Sequence, residues 1–363
     1  MLLFSRYFAL QTEAMTDTFF SVMTIAPLDV STATAERVAA ERWGITASAR
    51  ALTGERDRNF HMRADDGREF VLKFANPAEA PAVTDMQIAA LRRIQAADAD
   101  LPVPRIVPLP DGAMETPVPH ETGGVQRVRL LSWLPGVPLH ASRRNAAQRA
   151  GCGAALARTQ LALARFAHPA KDQALIWDMQ HVMRLRDVAD ALVHPGGRAM
   201  LDGLLDEFDA RVTPALPTLR RQVLHNDMNG GNTLVRAEDH GEFAGLIDFG
   251  DMVETALAID VATAMPAQLG EDMSAGAAFG HFLRAFCALQ PLRAEEVALL
   301  PLLTAMRIAM SLVLQSWHRR IQPDNPHYAP VTDAEVERRL AQIAAVRAPE
   351  TEAAIWLACG MPG

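Results

Sequence analysis

The sequence predicts an α+β protein with two lobes, a small β-rich N-terminal lobe and a larger, mostly helical C-terminal lobe. Three observations predict this class. Extended runs joined by turn residues precede Leu131, helical patterns dominate after Pro138, and one strand-rich stretch, Val223 to Met252, interrupts those helices. A chain of 363 residues is long enough for two lobes with a sizeable core.

The N-terminal elements can be placed in order. A helix is expected over residues 31–44, because cap-type residues open this segment and a glycine closes it. Asp66-Gly67 is a hairpin turn signal that joins two extended runs, and Lys73 lies near the end of the second run. Apolar residues at helical spacing then predict a helix over residues 83–95.

A boundary follows a second hairpin-like pair of strands. Pro135-Gly136 and Pro138 punctuate the end of the buried run "RLLSWL", so we place a hinge at residues 131–138. The first lobe is then expected over residues 25–130. Residues 1–24 are expected to be a disordered extension, because the first apolar segment is too short to span a bilayer and acidic residues precede the second.

Helices fill most of the remaining lobe, residues 139–363. "NAAQRAGCGAALARTQLALARF" is a long helical segment that tolerates two glycines, and "RAMLDGLLDEFDARVTPAL" is another. The last third of the chain is expected to be helical throughout. Only the stretch Val223 to Met252 is extended, and we expect it to form one short hairpin.

Composition limits the class of partner. The chain is 49% hydrophobic and 21% charged with a net charge of −8, which argues against nucleic acid and against a membrane as the main partner. The three cysteines lie far apart and form no Cys-x-x-Cys pair, so neither a disulfide framework nor a zinc ribbon is indicated. We therefore expect a cytoplasmic protein, and the oligomeric state stays open.

The segment "HNDMNGGN" carries the chemistry. Asp227 precedes Asn232 across a glycine-bearing loop, and Asp248 follows at the end of the apolar run "AGLI". Phosphoryl transfer needs this set, because one Asp accepts the proton of the substrate hydroxyl while an Asn and a second Asp hold Mg²⁺. We assign Asp227 as the base and the other two as metal ligands. Lys73 is the expected cation for the α- and β-phosphates of the donor.

The order of these segments resembles the aminoglycoside phosphotransferase and choline kinase superfamily. The segments "LTGERDRNF", "VLKFANP", "RLLSWLPGVPL", "HNDMNGGNTLV" and "GLIDFGDMVETALAIDVATAM" are most similar to its hydroxylysine kinase-like branch. The resemblance covers roughly residues 30–345. It implies a protein-kinase-like fold whose N-terminal lobe binds nucleotide and whose C-terminal lobe carries the catalytic loop and the substrate site.

The same resemblance implies the ligands. The donor is ATP or GTP, and its base is expected to pair with the backbone near Ser132 and Leu134. The acceptor is expected to be a small hydroxylated amine or amino acid. Two departures stand out: Gly230-Gly231 replaces a more polar or bulky pair, and "LTGERDRNF" lacks the Gly-x-Gly-x-x-Gly pattern of protein kinases.

The acid that pairs with Lys73 is open at this level. The helix over residues 83–95 offers Asp85, the segment before it offers Glu79, and Gln87 occupies a position where a carboxylate could be expected. We choose Asp85 as a nucleotide-site residue.

Four residues are candidates for the acceptor site: Asp178, Asp251, Glu254 and Arg307. Asp251 and Glu254 could cap the helix that follows them or meet a substrate ammonium. Asp178 and Arg307 could line the acceptor pocket or belong to the core. Arg307 is suited to bind a substrate carboxylate bidentately.

Several alternatives are open. Within the kinases, the acceptor could be an aminoglycoside or another amino alcohol such as choline, ethanolamine or homoserine. Outside them, an inactive nucleotide-binding module would keep the fold while losing the charged residues, all of which are present here. A metallohydrolase would gather more His and carboxylate ligands than this stretch offers. An interaction scaffold would leave the polar groups unexplained.

Overall fold

A computed structural model describes residues 29–54, 56–120, 124–238, 240–323, 325 and 329–362. The predicted extension, residues 1–24, lies outside them. The chain divides into two compact units: the first runs to Arg92 and resumes over Pro104–Trp133, and the second comprises Arg93–Val103 and the chain from Leu134. The division after Trp133 lies within the range predicted for the hinge. The separate roles of the two lobes stay predictions.

Among the residues that the structure describes, the first unit contains one antiparallel sheet and two helical segments. In chain order its elements are α1 (Thr32–Trp43), β1 (Ala47–Leu52), β2 (Arg58–Ala64), β3 (Glu69–Phe74), α2 (Pro81–Ala97, whose last residues from Arg93 belong to the second unit), β4 (Ile106–Val107), β5 (Thr116–Pro119) and β6 (Val125–Ser132).

The predicted first helix is confirmed, because the Ser31 hydroxyl accepts a hydrogen bond from the Thr34 amide and Gly44 ends the helix at φ 65°.

The sheet of the first unit places Lys73 beside another cation. Its strand order is β1-β2-β3-β6-β4, and β5 also pairs with β6. The predicted turn at Asp66-Gly67 is confirmed, with Gly67 at φ 85°. The first extended run is divided into β1 and β2. Lys73 of β3 lies directly opposite Arg129 of β6, so the two side chains share one face of the sheet.

The second unit is mostly helical. Its elements are β7 (Val137–Pro138), α3 (Ala146–Ala162), α4 (Pro195–Arg211), β8 (Arg221–Leu224), β9 (Thr233–Val235), β10 (Phe243–Leu246), β11 (Val253–Ala256), α5 (Leu257–Ala264), α6 (Ala275–Cys287), α7 (Ala294–Val297), α8 (Leu300–Ile321), α9 (Asp333–Val346) and α10 (Pro349–Ala358), with five short 3₁₀ segments between them.

The strands of the second unit form two small sheets rather than the single hairpin expected from the sequence. One sheet has the order β10-β9-β7, and the other pairs β8 with β11. The expectation was incomplete because β8 and β9 follow each other in the chain but pair with different partners. The loop between them carries Asp227, and the turn after β10 carries Asp248. Both acids therefore lie where strands end.

The helices of the second unit pack closely against one another. Gly153 lets α3 approach α6 closely, because a Cβ atom there would lie 2.0 Å from the Phe282 carbonyl oxygen. The last third of the chain is not continuously helical, since α8 ends at Ile321 and α9 begins at Asp333. The segment Ala294–Ile321 is apolar and long enough to cross a membrane, but 89% of its most apolar window is buried inside the fold, as in a core helix.

Candidate functional site

The loop between β8 and β9 is anchored by a buried acid. The Asn226 amide donates to Asp260 Oδ1 over 2.8 Å, and Gln160 Nε2 donates to Oδ2 of the same carboxylate over 2.9 Å. Asn226 adopts φ 62°, a left-handed conformation that asparagine tolerates better than most residues with a side chain. Burial raises the pKa of Asp260 to about 6. Helices α3 and α5 thus hold the start of the loop that carries Asp227.

His225 joins this loop to the strand that precedes Asp248. Its Nε2 lies 3.1 Å from the Ile247 carbonyl oxygen, and its Nδ1 accepts from the Asp227 amide over 3.2 Å. Burial lowers the pKa of His225 to about 4, so the ring is neutral. These partners assign the proton to Nε2. The ring also packs edge-on against Phe249 at 4.6 Å. His225 therefore joins the loop to the strand before Asp248 through hydrogen bonds at both ring nitrogens.

Asp227 is surrounded by hydrogen-bond donors. Asn229 Nδ2 lies 3.0 Å from both carboxylate oxygens, and Asn232 Nδ2 lies 2.6 Å from Oδ2. Arg307 Nη2 lies 2.9 Å from Oδ1. The Asp227 side chain keeps 16% of its exposure, whereas that of Arg307 keeps 7%. The structure thus places Arg307 directly on the predicted base.

The electrostatic surroundings of Asp227 raise its affinity for a proton. Burial is the main cause, the Asp251 carboxylate adds to it, and Arg307 opposes both; together they raise the pKa of Asp227 to about 8. A carboxylate with a raised proton affinity accepts a proton from a hydroxyl more readily than an ordinary one. This environment is that expected of a general base.

Asn232 and Asp248 lie on adjoining backbone segments. The Ile247 amide donates to the Asn232 carbonyl oxygen over 2.9 Å, which brings the residue before Asp248 against Asn232. Asn232 Nδ2 donates to the backbone oxygen of Asp227 over 3.0 Å as well as to its carboxylate, so Oδ1 points away from them. Asp248 is exposed and adopts φ 59°. One amide oxygen and one carboxylate are hard donors that fit a hydrated Mg²⁺.

Metal-binding groups are otherwise sparse. Within the described ranges, no three His, Cys, Asp or Glu side chains converge in a group that could hold a metal ion. The residues that could hold one here are therefore an Asn and an Asp, which is not the dense ligand set of a metallohydrolase.

The other acceptor-site candidates have different surroundings. Asp251 is 5% exposed and close enough to Asp227 to raise the pKa of that carboxyl group. Glu254 lies on β11 and forms a 2.7 Å ion pair with Lys171. Asp178 is fully buried, and its carboxylate accepts from the Thr255 hydroxyl at 3.0 Å and from the backbone and side chain of Gln180. The loop of Asp227 thus gathers Asp251 and Arg307, while Glu254 and Asp178 have protein partners.

Lys73 lies in a buried group of charges in the first unit. Its Nζ is 3.5 Å from Asp57 Oδ2, and Arg129 Nη2 is 3.6 Å from the same oxygen. The Asn76 amide holds the other oxygen of Asp57 at 3.0 Å. Arg129 also donates to Gln87, whose side chain donates to Glu79 over 2.8 Å. Asp57 is therefore a carboxylate shared by two cations.

Sequence reasoning missed Asp57 and Arg129 as partners of Lys73. Asp57 follows the turn after β1, inside the segment "LTGERDRNF", and Arg129 alternates with apolar neighbours in β6. An alternating Arg in an otherwise buried strand was a signal that could have identified the second cation. Asp85 is exposed on α2, and its pairing with Lys73 stays a prediction.

The predicted nucleotide-base positions have defined backbone contacts. The Ser132 amide donates to the Arg105 carbonyl oxygen over 2.8 Å, and the Arg105 amide donates to the Ser132 hydroxyl over 2.9 Å. Leu134 begins the chain's return to the second unit and packs near Gly245, where a Cβ atom would lie 2.9 Å from Leu134 Cδ1. Their role toward a nucleotide base stays a prediction.

Known proteins support the resemblance. Residues 48–296 match the phosphotransferase enzyme family. Hydroxylysine kinase from Mus musculus is 27% identical over 303 residues, which cover 77% of this chain and 80% of that protein.

Two solved structures are similar in fold. One is a microcompartment-associated aminopropanol kinase with a TM-score of 0.66, 18% identity, and coverage of 87% of this chain and 95% of the other. The second is an amicoumacin kinase in complex with AMP-PNP, Ca²⁺ and Ami, with a TM-score of 0.64, 16% identity, and coverage of 87% of this chain and 93% of the other. The predicted α+β, kinase-like fold is confirmed.

Proposed function

This chain belongs to the phosphotransferase enzyme family, and from that premise we propose that it transfers the γ-phosphate of ATP or GTP, with Mg²⁺, to the hydroxyl group of 5-hydroxylysine or a closely similar amino acid. The chain is a small-molecule kinase that acts on a hydroxyl group. We propose the identities of the acceptor, the donor nucleotide and the metal ion.

The guanidinium of Arg307 carries the proposal that the acceptor is an amino acid. It lies 2.9 Å from the carboxylate of Asp227, and its Nη1 is buried without a hydrogen-bond partner among the described residues. A planar guanidinium with an unused N–H suits a carboxylate, which amino acids have and ethanolamine, choline and aminoglycosides lack. Hydroxylysine kinase from Mus musculus is the kind of relative that this chemistry would predict.

The other roles follow from the loop. Asp227 accepts the proton of the substrate hydroxyl as that oxygen attacks the γ-phosphorus. Asn232 Oδ1 and the Asp248 carboxylate would hold Mg²⁺, which neutralises charge on the phosphates. Asp251, beside Asp227, is our candidate for the substrate ammonium. Glu254, which pairs with Lys171, and Asp178, which is bonded to Thr255, stay as further candidates.

The first unit supplies the donor contacts in this proposal. Lys73 would bind the α- and β-phosphates, and the backbone near Ser132 and Leu134 would pair with the nucleotide base. The amicoumacin kinase structure, solved with AMP-PNP and Ca²⁺, supports a nucleoside triphosphate with a divalent cation as the donor. We also propose a cytoplasmic location, in keeping with the three free cysteines.

The test is a turnover assay that crosses donors with acceptors. Purified protein receives ATP or GTP, with Mg²⁺ or with EDTA, and 5-hydroxylysine, homoserine, ethanolamine, choline or kanamycin. We expect Mg²⁺-dependent turnover with 5-hydroxylysine. Asp227→Asn is the control for contaminating kinases. Turnover with homoserine alone would keep an amino-acid acceptor but change its identity, whereas turnover confined to ethanolamine, choline or kanamycin would contradict the proposal.

A further inference from the structure

The carboxylate of Asp227 has no free place for a substrate hydroxyl in this structure. A carboxylate offers about four lone-pair positions. Oδ1 receives Asn229 Nδ2 at 3.0 Å and Arg307 Nη2 at 2.9 Å, while Oδ2 receives Asn229 Nδ2 at 3.0 Å and Asn232 Nδ2 at 2.6 Å. A general base must accept a hydrogen bond from the hydroxyl that it deprotonates. One of these donors therefore has to leave before reaction.

The two asparagines are poorly suited to leave. Asn229 Oδ1 accepts from the Gly231 amide at 2.7 Å and the Asn232 amide at 3.0 Å, which fixes its side chain within the loop. Asn232 Nδ2 is also held by the backbone oxygen of Asp227 at 3.0 Å. Moving either amide would break several hydrogen bonds of the same loop at once.

Arg307 is held less firmly to Asp227 than the two asparagines are. It comes from α8 rather than the loop, and it donates to Asp227 through Nη2 alone. Its Nη1 is buried and has no hydrogen-bond partner in the part of the chain that the structure describes. Its guanidinium carbon lies 4.7 Å from the Trp177 ring centroid, so the planar group can slide over the ring and remain stacked. Arg307 can change partners without disrupting the loop.

We propose that Arg307 is a substrate-operated lock on Asp227. The carboxylate of the acceptor takes up the guanidinium through Nη1 and Nη2, Nη2 leaves Asp227 Oδ1, and that oxygen becomes available to the substrate hydroxyl. The exchange satisfies the unpaired Nη1 and keeps the guanidinium paired with a carboxylate. Asp227 keeps its hydrogen bonds from Asn229 and Asn232 and gains one from the substrate hydroxyl. The inference rests on the proposed amino-acid acceptor. It adds that the acceptor carboxylate binds Arg307 and thereby frees Asp227 to act as the base.

The lock predicts an unusual response to mutation. For an acceptor without a carboxylate, Arg307 is an inhibitor, because it stays on Asp227. Replacing it with a residue that cannot donate should accelerate that reaction. A residue that only bound the carboxylate would leave the same reaction unchanged, and a residue that only stabilised the fold would slow both.

The experiment compares two acceptors that differ only in the carboxylate: 5-hydroxylysine and 1,5-diaminopentan-2-ol. Steady-state kcat and KM are measured for the wild type, Arg307→Met and Arg307→Lys, with Arg338→Met, whose side chain is 52% exposed, as a matched control. We expect the wild type to prefer 5-hydroxylysine by about 100-fold or more in kcat/KM. In Arg307→Met this preference should fall to within a few-fold, and kcat for the diamino alcohol should rise about ten-fold.

Arg307→Lys keeps a cation on Asp227 but lacks the second arm of the guanidinium. It should lose much of the 5-hydroxylysine rate while the diamino alcohol rate stays at the wild-type level. Because it preserves the ion pair, it also serves if Arg307→Met does not fold, as judged by its thermal melt and its affinity for ATP.

Four results would overturn the lock. A diamino alcohol kcat that does not rise in a folded Arg307→Met protein would leave carboxylate binding as the only role of Arg307. A gain of diamino alcohol turnover in Arg307→Lys would show that a cation on Asp227 is not inhibitory. Absence of wild-type turnover with 5-hydroxylysine would contradict the proposed function together with the lock. Wild-type turnover combined with an unchanged preference for 5-hydroxylysine in Arg307→Met would contradict the lock alone.

Discussion

Lys73 in the first unit is buried and Asp227 in the second is half-buried, and the two charged groups are held in different ways. Asp227 is bonded at 2.6–3.0 Å, and three of its four side-chain contacts come from Asn229 and Asn232 in its own loop. Lys73 Nζ lies 3.5 Å from Asp57 Oδ2. Asp57 comes just before β2, so the two side chains meet only because β2 pairs with β3.

The geometry around Asp227 is therefore set by residues close in sequence, whereas the geometry around Lys73 is set by residues that are distant in sequence. A loop whose side chains bond its own carboxylate keeps that geometry wherever the loop forms. The surroundings of Lys73 depend on the register of β3 with β6 and on the position of Asp57, and each can shift with the fold. The comparison predicts large effects at Asp227, smaller ones around Lys73, and still smaller ones away from both.

Substitution of the base should have the largest effect. Asp227→Asn keeps one acceptor oxygen for the surrounding N–H donors but cannot accept the hydroxyl proton, so kcat should fall by about 100-fold or more. Nucleotide affinity should change little. Single-turnover kinetics and ATP binding measure the two quantities, with Asp209→Asn on exposed α4 as the control. Full activity in Asp227→Asn would show that another group is the base.

The surroundings of Lys73 should show the next largest effect. Asp57→Asn leaves Lys73 and Arg129 without their shared carboxylate, so the KM for nucleotide should rise roughly ten-fold and the free energy of unfolding should fall by about 3 kcal/mol. Asp85→Asn is the matched comparison, because Asp85 is exposed on α2. If Asp85→Asn had the larger effect on KM, Asp85 and not Asp57 would be the functional partner of Lys73.

The anchor of the catalytic loop should respond to pH. Burial raises the pKa of Asp260 from 3.8 to about 6, so the folded protein binds more protons than the unfolded chain between these values. Stability is therefore lost as pH rises through this window, by at most about 3 kcal/mol.

Asp260→Asn should remove that loss, since an Asn oxygen can still accept from the Asn226 amide. The melting temperature of the variant minus that of the wild type should increase between pH 4.5 and 7.5. A flat difference would mean that Asp260 does not titrate in this range.

The smallest effect is expected at β11. Glu254 and Lys171 form an ion pair whose side chains keep 26% and 34% of their exposure. Such pairs contribute about 0–1 kcal/mol. Glu254→Gln should therefore change the melting temperature by a few degrees at most and the acceptor KM by less than about two-fold. A ten-fold rise in acceptor KM would instead support contact between Glu254 and a substrate ammonium.

The sequence alone predicted much of this protein. Periodicity and turn residues predicted α1, the turn at Gly67 and the order of strands and helices, because these features depend on neighbours within a few positions. The motif around Asp227 could be interpreted for the same reason, since its hydrogen bonds close within one loop.

Tertiary structure decided the contacts between distant segments. It paired β8 with β11 instead of forming one hairpin, placed Asp57 and Arg129 around Lys73, and brought Arg307 from α8 onto Asp227. No local pattern encodes such contacts, because they depend on strand register and on which face of a helix packs against the loop. Hydrogen bonds and ion pairs require atoms to meet within a few tenths of an ångström, and only the packed fold sets those distances.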